Sequence, residues 1–287
     1  MPEQIPRATT SFSREDFQQL VELTTPRQWL RRKSTALFDL WSLLDCEEKK
    51  SLIVELIQRF RVLDIPEVED LCEHIRDHLI SLRNSRGKTT IIVASSDDAE
   101  ADGSQMALQL LKGHFAGVAG WSERNFRNSM KGYDDYLLPN RSFVLFDDFI
   151  GTGSKIVRKF RSFASAIASR NLTSCDISVI SIAAMTHSRK LLDAEGISYY
   201  SPLWTEKGID AFNEKSIAES KRSMMRSIET NLAARVDGQY LPGLGYKGSQ
   251  ALFSIGGVNC PNNVFPVFWW TKHKDRSARE TIMKRLR

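Results

Sequence analysis

Apolar and polar positions change period along the chain. Up to residue 83 the spacing is helical: the stretch 66–82 sets Val68, Leu71, Cys72, Ile75, Leu79 and Leu82 on one face. Ser13 with Asp16, and Thr25 with Pro26 and Gln28, are helix-start patterns, so four helices fit between residues 13 and 83. Asn84-Ser85-Arg86-Gly87 breaks that pattern, and the β-branched run from Thr89 to Ala94 predicts a strand. Phe143-Val144-Leu145-Phe146 is an apolar run of buried-strand length. After it, Ile156, Phe160, Phe163 and Ile167 recur at steps of four, three and four, one apolar face of a helix that begins just after Gly153. Asp176 to Met185 and Ile197 to Tyr200 read as further strands. Strands alternating with helices predict an α/β fold with a mostly parallel sheet, and the strand 143–146 is expected in a central, buried position.

Composition divides this pattern into three: an N-terminal helical region over 1–86, an α/β domain over 87–271 and a basic tail over 272–287. With 287 residues, of which 41% are hydrophobic, the chain has enough apolar surface for a full core. No apolar run approaches the roughly 20 residues of a membrane span, and Pro2, Glu3 and Pro6 do not make a signal-peptide core. Cys46, Cys72, Cys175 and Cys260 lack metal-ligand spacing and read as reduced thiols, so the expected location is cytoplasmic. Residues 272–287 hold seven Lys or Arg against two acids, a net of +5 that equals the +5 of the whole chain. The body is therefore neutral and does not form a general nucleic-acid-binding face. A contact with a nucleic acid or nucleoprotein would fall to Lys272, Lys274, Arg276, Arg279, Lys284, Arg285 and Arg287, and a solvated tail is the alternative. His74 and His78 stand four apart on a predicted helix, a zinc-chelating spacing, but without an evident third ligand.

The chemistry concentrates at Asp147-Asp148-Phe149-Ile150-Gly151-Thr152-Gly153-Ser154-Lys155. Two carboxylates end a buried strand, and small residues lead into a helix whose free N–H groups and positive end favour phosphate. Asp147 and Asp148 would repel phosphate, but they suit sugar hydroxyls or a hydrated Mg2+. A dinucleotide fingerprint fits less well, because Ile156 stands where a third glycine belongs. A nucleotide-triphosphate loop also fails, since Gly153-Ser154-Lys155 has the wrong order. A solvated acidic turn is the remaining alternative.

Residues 143–155 resemble the sugar-phosphate loop of the type I phosphoribosyltransferases, where an acidic pair contacts ribose hydroxyls and small residues wrap the 5′-phosphate. The resemblance implies the first role for Asp147 and Asp148, as catalytic and metal-water contacts, and the second for Gly151, Thr152, Gly153, Ser154 and Lys155. Glycine at 151 departs from the hypoxanthine-guanine members, which carry a general-base acid there, and agrees with the small residue of adenine and orotate enzymes. By position, Ser95, Ser96, Gly103 and Ser104 correspond to the pyrophosphate loop, although four acids lie between residues 97 and 102. An acidic turn capping the next helix is the competing reading of that loop. Trp121 to Tyr136 corresponds to the mobile loop, with Arg124, Arg127 and Lys131 as its basic groups.

The C-terminal third, with Asn259-Cys260-Pro261-Asn262-Asn263 before Val264 to Trp269, resembles the ending of a phosphoribosyltransferase-like family of bacterial conflict and antiviral defence cassettes. Asn262 and Asn263 are candidate base or ribose contacts, and Trp204, Phe265, Trp269 and Trp270 are either a stacking surface or core. Together these resemblances imply a phosphoribosyltransferase-type sheet that binds phosphoribosyl pyrophosphate or a nucleotide, with Mg2+. They imply a pentosyltransferase or related nucleotide-modifying activity in a defence effector with companion proteins. The alternative is an inactive module that senses such a ligand for a partner.

Overall fold

The computed structural model describes residues 12–96, 101–132, 136–172 and 174–286. Contacts group the chain into two compact units. One joins the residues through Arg61 with Gly208–Leu252 and the chain from Val264 onward, and the other consists of Val62–Lys207 and Phe253–Asn263. This grouping differs from the three-part division by composition at Arg86 and Thr271.

The first unit opens with helices α1 (Arg14–Thr24), α2 (Gln28–Arg31), α3 (Ser34–Trp41) and α4 (Glu47–Arg59). Ser13 and Asp16 cap α1 reciprocally, as their spacing predicts. After a short strand β1 (Arg61–Leu63), helix α5 (Ile65–Arg86) begins at an Asp64–Glu67 capping box with a proline in its first turn. It ends at Gly87, whose φ of 61° is the left-handed conformation that glycine adopts without strain. The region through residue 86 thus holds five helices and a strand, not four helices alone, and α5 lies in the unit of the sheet.

In that second unit follow β2 (Thr89–Ala94), α6 (Gly103–Gly113), β3 (Phe126–Arg127), β4 (Arg141–Ile150), α7 (Ser154–Ser169), β5 (Asp176–Met185), α8 (Arg189–Ala194), β6 (Ser198–Tyr200) and β7 (Leu203–Thr205). The main sheet runs in the order β3-β2-β4-β5-β6, with β7 also on β5, and every pairing in it is parallel. The α/β fold with a mostly parallel sheet is as the alternation of elements implied. Phe143, Val144, Leu145 and Phe146 are fully buried in β4, flanked by β2 and β5. The strand does not stop at Phe146: it continues through both aspartates to Ile150 and pairs with β5 as far as Ala184. Ile156, Phe163 and Ile167 of α7 pack on Val93, Phe143, Leu145 and Val179.

The chain returns to the first unit with α9 (Lys215–Glu229) and the hairpin β8 (Arg235–Val236) and β9 (Gln239–Tyr240); β10 (Phe253–Ile255), which pairs with β1, belongs to the second unit. Phe265, Phe268, Trp269 and Trp270 are buried, with Phe268 edge-on to Phe60 at 5.5 Å, so of the two readings offered for 265, 269 and 270, core is the one that holds. The tail is not simply solvated. Ile282 and Met283 are buried, and the buried Arg279 guanidinium donates to the carbonyls of Val267 and Trp270 at 3.0 Å. His78 stacks on Tyr200 at 4.0 Å, and no histidine joins a possible metal cluster among the described residues. Nor do the cysteines form disulfides there, and no described helix is long and apolar enough to cross a membrane.

Candidate functional site

Successive residues of a strand face opposite ways, and this separates the two acids at the end of β4. Asp147 shares the face of Phe143 and Leu145, which is covered by α7. It is buried and accepts from Lys155 Nζ of α7 at 3.4 Å, as well as from the N–H of Asp148 at 3.1 Å. Asp148 turns to α6: its carboxylate lies so close to Gly103 that a Cβ there would collide with it. Burial, and then the charge of Asp147, raise the Asp148 carboxyl well above the usual carboxylate range.

Two strand-to-helix loops converge on these acids. The first holds Gly151, Thr152, Gly153, Ser154 and Lys155. Gly153 is the N-cap of α7 with φ 80°, and the Thr152 hydroxyl accepts from the Ser154 N–H at 3.5 Å. Its Cα side lies against Ser188, where a Cβ would sit 3.6 Å from the serine Cβ. Thr152 and Ser154 hydroxyls meet at 3.3 Å. Gly151 has no room for a side chain, because the Asn263 amide occupies the place of a Cβ. The Pro-Asn-Asn segment and the acidic loop, far apart in sequence, are therefore neighbours, with Asn262 half-buried beside them.

Lys155 faces the carboxylates. Its Nζ lies 3.0 Å from Asp102 and 3.4 Å from Asp147, and although burial opposes it, their negative charge raises the ammonium's pKa.

The second loop follows β2. The N–H of Ser95 donates to the Phe146 carbonyl at 2.8 Å, one step beyond the Ala94–Phe146 pair, so Ser95 stands level with Asp147. On the other side Asp147 pairs in register with Ser181. Residues Asp97 to Glu100 lie outside the described residues. Beyond them Asp102 is the N-cap of α6: one oxygen accepts from the Ser104 N–H at 2.9 Å and the other from Lys155, while Gln105 takes the Asp102 N–H. Burial raises the Asp102 pKa, but the Lys155 charge and the Ser104 N–H outweigh it and hold the carboxyl below its usual value. Oxygens of Asp102, Asp147 and Asp148 all lie within 4.8 Å of one another. Ser95, Ser104 and Ser181 each bury a hydroxyl oxygen without a hydrogen-bond partner.

The segment expected to close over the site borders it through its backbone. Met130 N–H donates to the Ser96 carbonyl at 3.3 Å, and Gln105 Nε2 donates to Asn128 at 3.3 Å. Arg124 and Lys131 are exposed, and the Arg127 guanidinium lies over the Tyr136 ring at 5.4 Å.

Sequence reasoning did not name Asp102 or Ser181 as site residues. The signal for Asp102 was its capping-box spacing to Gln105; that for Ser181 is a small polar residue inside an apolar strand.

The family model PRTase-CE matches residues 27–285. No curated protein matches the chain.

Proposed function

We propose that this chain, which belongs to the PRTase-CE family of phosphoribosyltransferase-like proteins, binds a ribose-phosphate ligand at the end of β4 and breaks or transfers the bond at its anomeric carbon. The observation that carries this reading is the pairing of two unlike subsites on one loop. The glycine-capped start of α7, with no carboxylate on its N–H groups, suits a 5′-phosphate, and the adjoining Asp147 and Asp148 suit the sugar hydroxyls. Departure from an anomeric carbon leaves positive charge on the sugar, which neighbouring carboxylates stabilise electrostatically. Gly151 offers no side chain as a base, and Asn263 is the polar group that lies against it.

Three carboxylates in reach of one another are a hard-oxygen donor set that fits Mg2+. Asp102, Asp147 and Asp148 would hold it, directly or through water, and it would offset charge on a leaving group. The Lys155 ammonium already lies among these oxygens, so metal and lysine compete for them.

The biological setting we propose is an effector of an antiviral defence system, a reading that rests on the resemblance of the Pro261-Asn262-Asn263 ending to proteins of defence cassettes. Among the described residues of the final segment, Lys274, Arg276 and Lys284 are the exposed basic ones and the contacts we propose for a nucleic-acid or nucleoprotein partner; Arg287 lies outside the described residues. A second reading, a ligand sensor without catalysis, draws support from Asp102 closing the start of α6.

Incubation of the purified protein with phosphoribosyl pyrophosphate, NAD and nucleotides, with and without Mg2+, followed by product analysis, tests the enzymatic reading. A cleaved or transferred ribose phosphate that vanishes with Asp147→Asn/Asp148→Asn is expected. Binding without turnover favours the sensor, and no binding of any such ligand removes both. Phage challenge tests the effector role, since full protection by the double variant would sever it from the site.

A further inference from the structure

Two helices begin at the same acid pair, and their caps differ. At α7 the cap is Gly153, which brings no charge, and the Thr152 hydroxyl accepts from the Ser154 N–H at 3.5 Å. At α6 the chain supplies its own anion: Asp102 accepts the Ser104 N–H through one oxygen and Lys155 through the other. The Asp148 carboxylate lies on Gly103 of the same turn, where even a methyl group would collide. A phosphate brought to α6 would meet the carboxyl groups of Asp102 and Asp148.

The ground around Asp147 has a different character. Ser95 and Ser181 stand level with it on the two adjoining strands, and adjacent residues in a parallel register share a face. Both serines are fully buried, and the hydroxyl oxygens of both lack a partner. Buried hydroxyls are costly when unsatisfied, and two of them beside a carboxylate both donate and accept. That chemistry matches the vicinal hydroxyls of a sugar and not a second anion.

We infer that Asp102 restricts the site to a ribose 5-phosphate monoester, such as a ribonucleoside 5′-monophosphate, and bars a ligand with a further phosphate group at the anomeric end. The inference rests on the proposed ribose-phosphate reading and narrows it: one phosphate at Gly151–Lys155, the diol at Asp147, Ser95 and Ser181, and nothing anionic at Gly103. Asp102 is a specificity residue here, held in place by its cap and by Lys155.

Calorimetry on the full chain separates the two claims, with ribose 5-phosphate, phosphoribosyl pyrophosphate and inorganic pyrophosphate as probes, each with and without Mg2+. The wild-type protein is expected to bind ribose 5-phosphate about tenfold or more tighter than phosphoribosyl pyrophosphate, and pyrophosphate not measurably. Asp102→Asn keeps a capping oxygen and removes the charge. It should raise affinity for phosphoribosyl pyrophosphate by about tenfold and change that for ribose 5-phosphate by less than about threefold. Should Asp102→Asn fail to fold by circular dichroism, Asp102→Ser keeps the cap and replaces it. Wild-type binding of phosphoribosyl pyrophosphate as tight as, or tighter than, ribose 5-phosphate in either condition overturns the inference and leaves the ribose-phosphate reading intact. Equal affinities of the Asp102 variants and wild type for phosphoribosyl pyrophosphate also overturn it. Failure of wild type to bind either sugar phosphate removes the underlying reading and this inference with it.

Discussion

Helices α6 and α7 start from neighbouring strands of one sheet and end their approach at the same two aspartates, yet they present opposite surfaces. At α7 the cap is a glycine, and no carboxylate caps the positive end. At α6 an aspartate cap, locked by Gln105 and Lys155, neutralises it from within. The backbone geometry of a strand turning into a helix offers an anion site in both places. The residue at the N-cap differs between them: glycine at α7, and at α6 an aspartate whose own carboxylate accepts a backbone N–H.

The comparison breaks most completely if the acid pair between the helices is neutralised. Asp147→Asn/Asp148→Asn should weaken ribose 5-phosphate binding by about tenfold or more, chiefly from the loss of the charge-assisted contact at Asp147, while circular dichroism stays that of the parent. Unchanged affinity by calorimetry would show that the pair does not touch the ligand. A smaller effect is expected from closing α7 sterically. Gly151→Ala drives a methyl group into the Asn263 amide and should cost on the order of tenfold in the same assay. Asn263→Ala in the same chain should recover most of it, and failure of that rescue would mean that Asn263 is itself a ligand contact.

The asymmetry of the caps predicts a difference in stability. Asp102→Ala removes a capping oxygen and should lower the unfolding free energy by about 1 kcal/mol. Thr152→Ala at the α7 loop should change it by less than about 0.5 kcal/mol, and equal losses in denaturant titrations would contradict the contrast.

The smallest expected effect is in pH dependence. The Asp102 carboxyl is lowered in the folded protein, so its contribution is present above the unfolded value near 3.8 and is lost as pH falls through the folded value. Asp148 is raised, so its contribution is present at acid pH and is lost as pH climbs from about 3.8 toward the folded value. Asp148→Asn should therefore raise the melting temperature more at pH 7 than at pH 4, and Asp102→Asn should lower it more at pH 7 than near pH 2. The same sign for both would mean that the two carboxylates share one environment.

Local pattern made much of this legible. The run 143–146 is buried and central because four consecutive apolar residues have no exposed face to offer. The α7 stripe follows its spacing, with Phe160 only partly buried at its margin. Pattern misplaced the strand end because aspartates usually mark exposed turns, whereas Phe149 and Ile150 beyond them still pair with β5. Asp102 was hidden by its setting: among four acids in six residues, nothing local singles out the one that reaches Lys155. The tail misled because net charge averages over Ile282 and Met283, which are buried, and over Arg279, whose charge faces carbonyls and not solvent. Asn263 reaches Gly151 only through tertiary structure.

The grouping of the first unit bears on how the molecule is made. Helices α1 to α4 emerge early in synthesis, but their core partners Phe265, Phe268, Trp269 and Trp270 follow some two hundred residues later. Until then Leu40, Leu44, Ile53 and Ile57 have no completed core to enter. The sheet, whose strands β2 to β7 are contiguous, has nearly all its parts first. Nascent chains arrested before Val264 should thus expose a sticky helical segment that invites chaperones, in front of an α/β body already close to assembled.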